Sequence, residues 1–538
     1  MSTEVPFPVY TATLVPALHG IQEQYGYLDR DALRAYSEQF DVPLPRLHTV
    51  ASFFPHFQLL QPKKVVLRIC RDMSCALAGS CTMIKNLQSI VDDQVGVEGV
   101  SCLGRCDRAP AAMVAVQGAQ HEHHYHGRSE KELGDIVKAC LRSTPPRRDH
   151  DANLPSPFTK GVIDFYNPES PPYAAVNRGL AIRDASLRAA EKALLAAKDW
   201  PPGRIEQFRL GALSQMRGDF QGDDEVCDAV RAWQTAEDWA KEKEFGNWSE
   251  ALLAEIKAAD LRGMGGAGIP SIQKLRDVRD GIRTARKRRD DDRGFIVVNG
   301  DESEPGTFKD RELLLRTPHL VVEAVILSGL ITEATQGFIY IRHEYTEQIE
   351  ACRAEIQRAE QFGLCGMAAS KLGRPFPLSV FVSPGGYICG EQSALIEAMS
   401  DRRAEPRNMP PKLESNGLDD MPTLVSNVET FAWMPYIVVK GGKTYAEHGV
   451  NGWQGRRLFS ISGDLNRPGV YEAPMGLTLR ELVEGQEYCR GVRDGKKLKA
   501  FAPSGPSGGF LPAKLTTAAG LPRNLATNKA WQALAGRR

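Results

Sequence analysis

Four cysteines in two close pairs are the residues of this chain best suited to redox or metal chemistry. Cys70 and Cys75 are spaced C-x4-C, and Cys102 and Cys106 are spaced C-x3-C. Thiolates in two such pairs can surround a small iron cluster, whereas disulfides are rare in reducing compartments. The spacing therefore predicts an iron–sulfur cluster and favours electron transfer as the function.

Two other interpretations of these cysteines stay open, a zinc site and a set of inert buried thiols. Structural zinc pairs usually span two to four residues and often include histidine. Buried thiols that bind nothing behave as small apolar side chains. The remaining cysteines show no paired spacing and are interpreted as core residues: Cys81, Cys140, Cys227, Cys352, Cys365, Cys389 and Cys489.

The elements around the cysteine pairs must position them. Residues 65–69 predict a buried strand that ends at Cys70, with Cys75 in the following loop, before a helix over 83–90. Glycine and proline within 101–110 predict a turn. We therefore expect both pairs on loops at strand ends.

A small helical unit is predicted before the cysteines. Leu14, Leu18, Ile21 and Tyr25 fall on one helical face, and Asp31 is a candidate N-cap of a second helix. These apolar positions are interpreted as core and carry no chemistry.

A second landmark is the glycine-rich run RGMGGAGIP at residues 262–270. The pattern G-x-G-x-x-G is weak by itself, and a dinucleotide-binding loop should follow a strand, whereas residues 251–261 look helical. A run without Cβ atoms still lets backbone N–H groups approach a phosphate or a flat ring. A ligand loop and a plain turn both remain open.

Alternating strands and helices follow, with polar loops between them. The acidic run 300–307 comes directly after a predicted strand and could bind a metal, accept hydrogen bonds from a cofactor or be solvated. Because ligands gather at the carboxyl ends of strands in a doubly wound sheet, two glycine loops and one acidic loop predict a cofactor pocket. The predicted segments are strands 295–299, 337–342 and 378–382, a helix over 318–333, and the glycine-flanked loop 385–391.

The composition agrees with a multidomain protein of a reducing compartment. The chain has 538 residues with 67 basic and 67 acidic side chains, which gives no overall attraction to nucleic acid or anionic membrane. Residues 1–6 lack the basic and apolar regions of a signal peptide, and the apolar stretch 320–331 contains Glu323 and is too short to span a bilayer. We expect a cytoplasmic protein, or a peripheral subunit that faces the cytoplasm.

These runs resemble two subunits of the NADH-dehydrogenase module of respiratory complex I. Residues 10–142 are similar to its thioredoxin-like ferredoxin subunit, and residues 251–512 to its flavin-binding subunit. Fusion of the two is familiar from the diaphorase subunits of NAD-dependent molybdenum or tungsten formate dehydrogenases and of NAD-reducing hydrogenases. The matching runs are RGMGGAG, NGDESEPGTFKD, YICGE and PTLVSNVET.

The resemblance implies an α/β multidomain fold: a helical bundle and a thioredoxin-like ferredoxin domain, then a Rossmann-like flavin domain and a β-grasp (SLBB-like) domain. The implied units are a bundle at 1–62, a 2Fe–2S domain at 63–142, a proline-rich linker at 143–178, a helical insert at 179–250, an FMN-binding domain at 251–445, a β-grasp domain at 455–512 and a divergent tail at 513–538.

The resemblance also implies the cofactor residues. The paired cysteines Cys70, Cys75, Cys102 and Cys106 would bind a 2Fe–2S cluster. Hydride would pass between nicotinamide and flavin N5, and the flavin would pass electrons singly to iron–sulfur centres, with no side chain acting as acid or nucleophile. The implied FMN site consists of Gly263, Gly265, Gly266, Lys274, Asn299, Asp301, Glu302, Tyr387, Gly390, Glu391, Asn427 and Thr430.

Five positions depart from the family pattern. Ile269, Asp277 and Lys412 replace aromatic residues that hold the nicotinamide cofactor, and such stacking surfaces contribute about 1 kcal/mol each. Gln392 replaces a glutamate, and Ser426 replaces an asparagine. An alternative function is therefore an NAD-independent relay or assembly subunit that keeps FMN and the cluster.

The C-terminal part departs further. The family continues into a helical domain with four cysteines for a four-iron cluster, but no cysteine follows Cys489, so the sequence contains no 4Fe–4S ligand set. A partner subunit could supply the next carrier, the chain could be truncated, or the electron route could differ. The expected partners are the other subunits of a redox complex such as formate dehydrogenase, hydrogenase or complex I, without nucleic acid.

Overall fold

Three short helices begin the part of the chain that the structure describes. The structure is a computed structural model, and its described residues are 14–117, 122–154, 156–158, 161–166, 172–196, 248–289, 291–516 and 522–524. Asp29, and not the predicted Asp31, caps the second helix, because its carboxylate accepts the N–H groups of Asp31 and Ala32, both at 3.0 Å. The helices are α1 (Leu14–Tyr25), α2 (Arg30–Phe40) and α3 (Leu44–Ala51).

A four-stranded mixed sheet carries the first cysteine pair. Its strand order is β2-β1-β3-β4, with β1 and β2 parallel and the other pairs antiparallel. The predicted strand and helix are confirmed, but Cys75 lies in the short helix α4 and not in a loop, because the chain turns into a helix directly after Asp72. The elements are β1 (Val65–Cys70), α4 (Met73–Leu77), α5 (Ser80–Ile90), β2 (Val95–Val100), β3 (Ala111–Val116), β4 (His123–His126) and α6 (Glu130–Leu141).

A fully parallel sheet of four strands, in the order β7-β6-β5-β8, forms the centre of the second half. Its strands are β5 (Phe295–Gly300), β6 (Gln336–Arg342), β7 (Leu378–Ser383) and β8 (Thr423–Asn427), which confirms the three predicted strands. Because all four run in the same direction, their carboxyl ends meet at one edge of the sheet.

Helices cover both faces of this sheet. The helix predicted over 318–333 is confirmed, and it is apolar on all sides because it is buried within the core. The helices are α7 (Ala174–Ala196), α8 (Trp248–Ala258), α9 (Ser271–Arg289), α10 (Lys309–Arg316), α11 (Pro318–Thr332), α12 (Thr346–Gln361), α13 (Gln392–Met399), α14 (Val428–Lys440) and α15 (Gly442–Ala446).

Part of the proline-rich segment 143–178, which the sequence predicts as a linker, packs against the core of the parallel-sheet unit. Phe158 and Ile163 are buried in that core. The buried Glu323 of α11 accepts the hydroxyl of Tyr166 at 2.6 Å. The buried apolar side chains and this hydrogen bond hold the described part of the segment against the core.

Small β elements follow the parallel sheet. Two strands pair antiparallel and pack with a short helix around a core that includes Tyr471 and Cys489. The elements are β9 (Arg456–Ile461), β10 (Gly469–Pro474), α16 (Leu479–Glu484), β11 (Ala500–Phe501), β12 (Leu511–Pro512), β13 (Lys514–Thr516) and β14 (Pro522–Asn524).

Most of the predicted helical insert, with Cys227, lies outside the described residues, and so does most of the tail at 513–538. Among the described helices, none by itself has the length and apolar character needed to cross a membrane. Only α10 and α11 taken together would pass such a test, and they are bent by 89° with respect to each other.

Candidate cofactor sites

The fold brings the two cysteine pairs into one buried group. The Cys102 and Cys106 sulfurs lie 3.3 Å apart, and the thiol of Cys70 makes hydrogen bonds with those of Cys102 and Cys75. None of the four side chains is more than 5% exposed. Four thiols that converge in a water-poor site fit an iron–sulfur cluster.

Backbone N–H groups point at three of these sulfurs. Such donors stabilise the anionic thiolate that a cluster needs, so this surrounding fits the expected group. One donor, Gly306, belongs to the acidic loop at the end of β5, 200 residues away in sequence. The donors and acceptors are Ala111 to Cys75 (3.4 Å), Gly104 to Cys102 (3.4 Å) and Gly306 to Cys106 (3.3 Å).

The electrostatic environment also favours thiolate at one ligand. Hydrogen bonds from Cys106 and Cys70 hold the pKa of Cys102 well below its ordinary value, and the charge of Arg342 acts in the same direction against the effect of burial. The described residues contain no group of three or more His, Cys, Asp or Glu side chains suited to a single metal ion.

Two buried arginines from the parallel-sheet unit hold the loop that carries Cys102 and Cys106. Arg311, fully buried, donates to the carbonyl oxygen of Gly104 at 2.7 Å and to both carboxylate oxygens of Asp107. Arg342, at the end of β6, donates to the carbonyl oxygen of Glu302 at 2.7 Å. The sequence predictions did not include either arginine, although the position of Arg342 at a strand end was an available signal.

The glycine-rich run forms a loop after α8 and faces open space. Gly263 donates to the carbonyl oxygen of Ile269 at 2.8 Å, which closes the loop, and Met264 N–H donates to the buried Thr430 hydroxyl at 2.8 Å. Gly266 has φ +118° and no atom within 4 Å of where a Cβ would lie. Its backbone is thus accessible to a ligand, as the ligand-loop interpretation requires.

Asn299 and Asp301 lie at the carboxyl edge of the sheet, beside this loop. Asn299 donates to the carbonyl oxygen of Gly390 at 2.9 Å, and Ser303 donates to Oδ1 of Asp301 at 3.1 Å. The other carboxylate oxygen of Asp301 is buried and has no hydrogen-bond partner among the described residues. Burial raises the pKa of Asp301 to about 7. A buried group without a partner at this edge fits a pocket that binds a polar cofactor.

Lys274 supplies a cation to the same region from α9. Its ammonium group donates to the side-chain oxygen of Gln392 and to the carbonyl oxygen of Val425, each at 2.9 Å. Burial lowers the pKa of Lys274. A partly desolvated ammonium group can balance a phosphate or a reduced flavin.

Three predicted FMN residues bind the protein itself in this structure. Glu302 accepts the N–H groups of Asp310 and Arg311 at the start of α10, at 3.0 and 3.1 Å. Glu391 caps α13, and Asn427 caps α14. These side chains position loops at the carboxyl edge, as helix N-caps do.

None of the five positions that depart from the family pattern is fully buried. Ile269 is 40% exposed at the end of the glycine-rich loop, and Tyr387 is 54% exposed in the loop after β7. Asp277 accepts a hydrogen bond from Gln273 at 2.6 Å, and Lys412 is exposed. None of the three substituted positions presents an aromatic ring.

Two family models match the chain. Residues 5–140 match the thioredoxin-like 2Fe–2S ferredoxin family, and residues 256–435 match the Nuo51 FMN-binding domain family. The first match contains all four paired cysteines, and the second contains the glycine-rich and acidic loops. The two cofactor classes expected from the sequence are confirmed at this level.

Curated relatives match about half of the chain. An NADH-quinone oxidoreductase subunit of Rhodobacter capsulatus is 38% identical over 272 residues, which cover 50% of this chain and 61% of the relative. The mitochondrial NADH-ubiquinone oxidoreductase 51 kDa subunit of Neurospora crassa is 38% identical over 282 residues, which cover 51% of this chain and 55% of the relative. The match thus spans less than two thirds of these relatives.

A solved structure matches along almost the whole chain. It is the crystal structure of an NAD+-reducing NiFe hydrogenase in the air-oxidized state, with a TM-score of 0.67 and 25% sequence identity. The match covers 95% of this chain and 75% of that chain. The order of the two cofactor domains within one polypeptide therefore has a structural precedent.

Proposed function

Because the chain joins a thioredoxin-like 2Fe–2S ferredoxin domain to a Nuo51-type FMN-binding domain, we propose that it is a diaphorase subunit. It moves electrons between NAD(H) and a larger redox complex by way of FMN and the 2Fe–2S cluster. The complex I relatives and the NAD+-reducing hydrogenase structure support this assignment.

The acidic loop carries the proposal, because it reaches both cofactor sites. Asp301 at its start presents a buried oxygen at the carboxyl edge of the sheet, and Gly306 at its end donates to the sulfur of Cys106. Residues 301–306 thus connect a proposed flavin-site carboxylate with a hydrogen-bond donor to the cluster ligand Cys106. Short separation between redox groups is what electron transfer requires.

The residues of this chain bind and orient the cofactors. FMN, when bound, accepts electrons as a hydride and releases them one at a time. The Thr430 hydroxyl holds the glycine-rich loop by Met264, Lys274 balances negative charge, and the cysteines hold the cluster in a site that excludes water. No proton transfer by a side chain is needed.

The proposed partner is the catalytic subunit of an NAD-dependent formate dehydrogenase, a hydrogenase or a complex I-like assembly. The proposed location is cytoplasmic or peripheral to a membrane complex. Residues 455–512 form the SLBB-like β-grasp domain of this proposal. The antiparallel pair β9–β10 with helix α16 supports that domain assignment.

A second candidate function is an electron relay that no longer uses NAD. The observation that favours it is the absence of aromatic rings at Ile269, Asp277 and Lys412, where flat stacking surfaces would hold nicotinamide or adenine. The two functions share both cofactors and differ only in nucleotide binding.

Anaerobic titration of the reconstituted protein with NADH separates the two functions. Flavin bleaching is followed optically and the reduced cluster by EPR. Bleaching by NADH followed by the cluster signal supports the diaphorase. Bleaching by dithionite but by neither NADH nor NADPH overturns it in favour of the relay. Cys106→Ser is the control, in which NADH bleaches the flavin without a cluster signal.

A further inference from the structure

Glu304 of the acidic loop ties a distant C-terminal segment to the flavin side of the molecule. One of its carboxylate oxygens accepts the hydroxyl of Tyr387. The other accepts the N–H and the hydroxyl of Ser507, at 3.2 and 2.7 Å. Tyr387 opens the loop whose Gly390 carbonyl binds Asn299, so the contact lies at the carboxyl edge of the sheet.

Gly505 shows how closely the segment approaches this carboxylate. A Cβ at Gly505 would lie 2.2 Å from a carboxylate oxygen of Glu304 and 2.7 Å from the carbonyl oxygen of Pro305. Its φ of +68° is also in the region that favours glycine. The segment therefore reaches its position only with glycine here.

The contact is of a kind that opens readily. Ser507 is exposed, and hydrogen bonds at such a site contribute little net stability because water competes for both partners. Two exposed rings, Phe510 at 61% and Tyr387 at 54%, belong to the two loops that Glu304 joins. Such a segment can detach without unfolding the domains on either side.

We propose that residues 503–510 form a cover at the carboxyl edge of the sheet, beside the proposed flavin site, and that Glu304 is the positioning residue that fastens it. When FMN is bound, the cover slows its dissociation and limits access of other flat ligands to the proposed flavin site. This inference rests on the proposed function only in requiring that FMN occupies the pocket.

A pair of glycine variants tests the cover. Gly505→Ala places a methyl group against Glu304, whereas Gly509→Ala has a similar φ of +72° with nothing within 4 Å and serves as the matched control. We expect FMN to dissociate about tenfold faster from Gly505→Ala, and amide exchange at Ser507 to rise, while the control stays within about twofold. FMN release is followed by the recovery of flavin fluorescence.

Two further variants test Glu304 itself. Ser507→Ala and Glu304→Gln weaken the contact without adding bulk, and we expect faster FMN release from both. Thr478→Ala removes a capping hydroxyl from α16 in the same C-terminal part and controls for general destabilisation. The cover is overturned if FMN dissociates no faster from Gly505→Ala than from Gly509→Ala. It is also overturned if FMN dissociates no faster from Ser507→Ala than from the native chain.

The outcomes for the cover and for the diaphorase are distinguishable. If FMN dissociates faster from Gly505→Ala but NADH does not reduce the native protein, the cover is supported and the diaphorase function is excluded. If NADH reduces the native protein but FMN release from Gly505→Ala is unchanged, the diaphorase function is supported and the cover is excluded. A protein that does not bind FMN overturns both.

Discussion

Arg342 donates a hydrogen bond from Nη2 to the carbonyl oxygen of Cys102 at 2.6 Å. The same guanidinium donates from Nη1 to the carbonyl oxygen of Glu302. One rigid, planar group thus connects the backbone of a cluster ligand with the acidic loop of the flavin site. The geometries of the two sites are not independent, and a change at Arg342 should affect both.

Arg342→Ala should reduce the free energy of unfolding by about 3 kcal/mol, because it leaves the mostly buried carboxylate of Glu344 without its main partner. Denaturant unfolding measures the loss. Arg342→Lys keeps the charge but not the planar fork, and we expect it to fold with a shifted EPR spectrum of the reduced cluster.

The control for Arg342 is Arg353→Ala. Arg353 pairs with Glu350 on the surface, with side chains 51% and 72% exposed, so its removal should change stability by no more than about 0.5 kcal/mol. Similar losses of stability in Arg342→Ala and Arg353→Ala would contradict a special role for Arg342.

Cys106→Ser should remove the iron and the visible absorption of the cluster while FMN content stays normal, because the glycine-rich loop is untouched. Iron analysis and flavin absorbance measure the two cofactors separately. Cys81→Ser is the control, since Cys81 is exposed and lies outside the buried group of four sulfurs. Normal iron content in Cys106→Ser would exclude Cys106 as a ligand.

Thr430→Val should weaken FMN binding by about tenfold, because it leaves the buried Met264 N–H without an acceptor, at a cost of about 1–3 kcal/mol. Fluorescence titration of the apoprotein with FMN gives the Kd. Thr430→Ser keeps the hydroxyl and should restore binding. Equally weak binding by the serine and valine variants would show that the hydroxyl alone does not account for the loss.

Glu323 should make stability depend on pH. Burial raises its pKa from an ordinary 4.5 to about 7. As pH rises from 4.5 to 7, the unfolded chain loses this proton while the folded chain keeps it, so folding becomes less favourable. Above pH 7 the loss is complete and amounts to about 3 kcal/mol relative to acid pH.

Urea unfolding of the native chain and of Glu323→Gln at pH 5 and pH 8 measures this dependence. The glutamine side chain does not titrate, so the stability difference between the two pH values should be smaller in the variant. Asp301 titrates in the same direction, with a pKa of about 7, and it is present in both proteins. An unchanged pH dependence would show that Glu323 is ionised throughout.

Local patterns were enough to predict the cofactor classes and the parallel sheet. The strand at 295–299 and the helix at 318–333 are runs of apolar residues, and each run can be recognised within its own segment. The paired spacing of Cys70 and Cys75 likewise reflects what a metal cluster requires within one short segment. These features depend on neighbours in sequence.

Other predictions failed where one residue or one loop decided the local structure. Asp29 caps α2 two residues before the predicted Asp31, and Cys75 lies in a helix and not in a loop. Boundaries such as these depend on the backbone angles of a single residue, which composition does not reveal.

Tertiary structure alone decided which distant segments meet at the two cofactor sites. Gly306 donates to Cys106 across 200 residues, and Ser507 donates to Glu304 across 203. The packing around Phe158 and the hydrogen bond from Arg342 to Cys102 also join segments that are distant in sequence. The sequence by itself determined the cofactor classes, because ligand types and spacing are local. The contacts that connect the sites required the fold, because hydrogen bonds between distant segments have no local period.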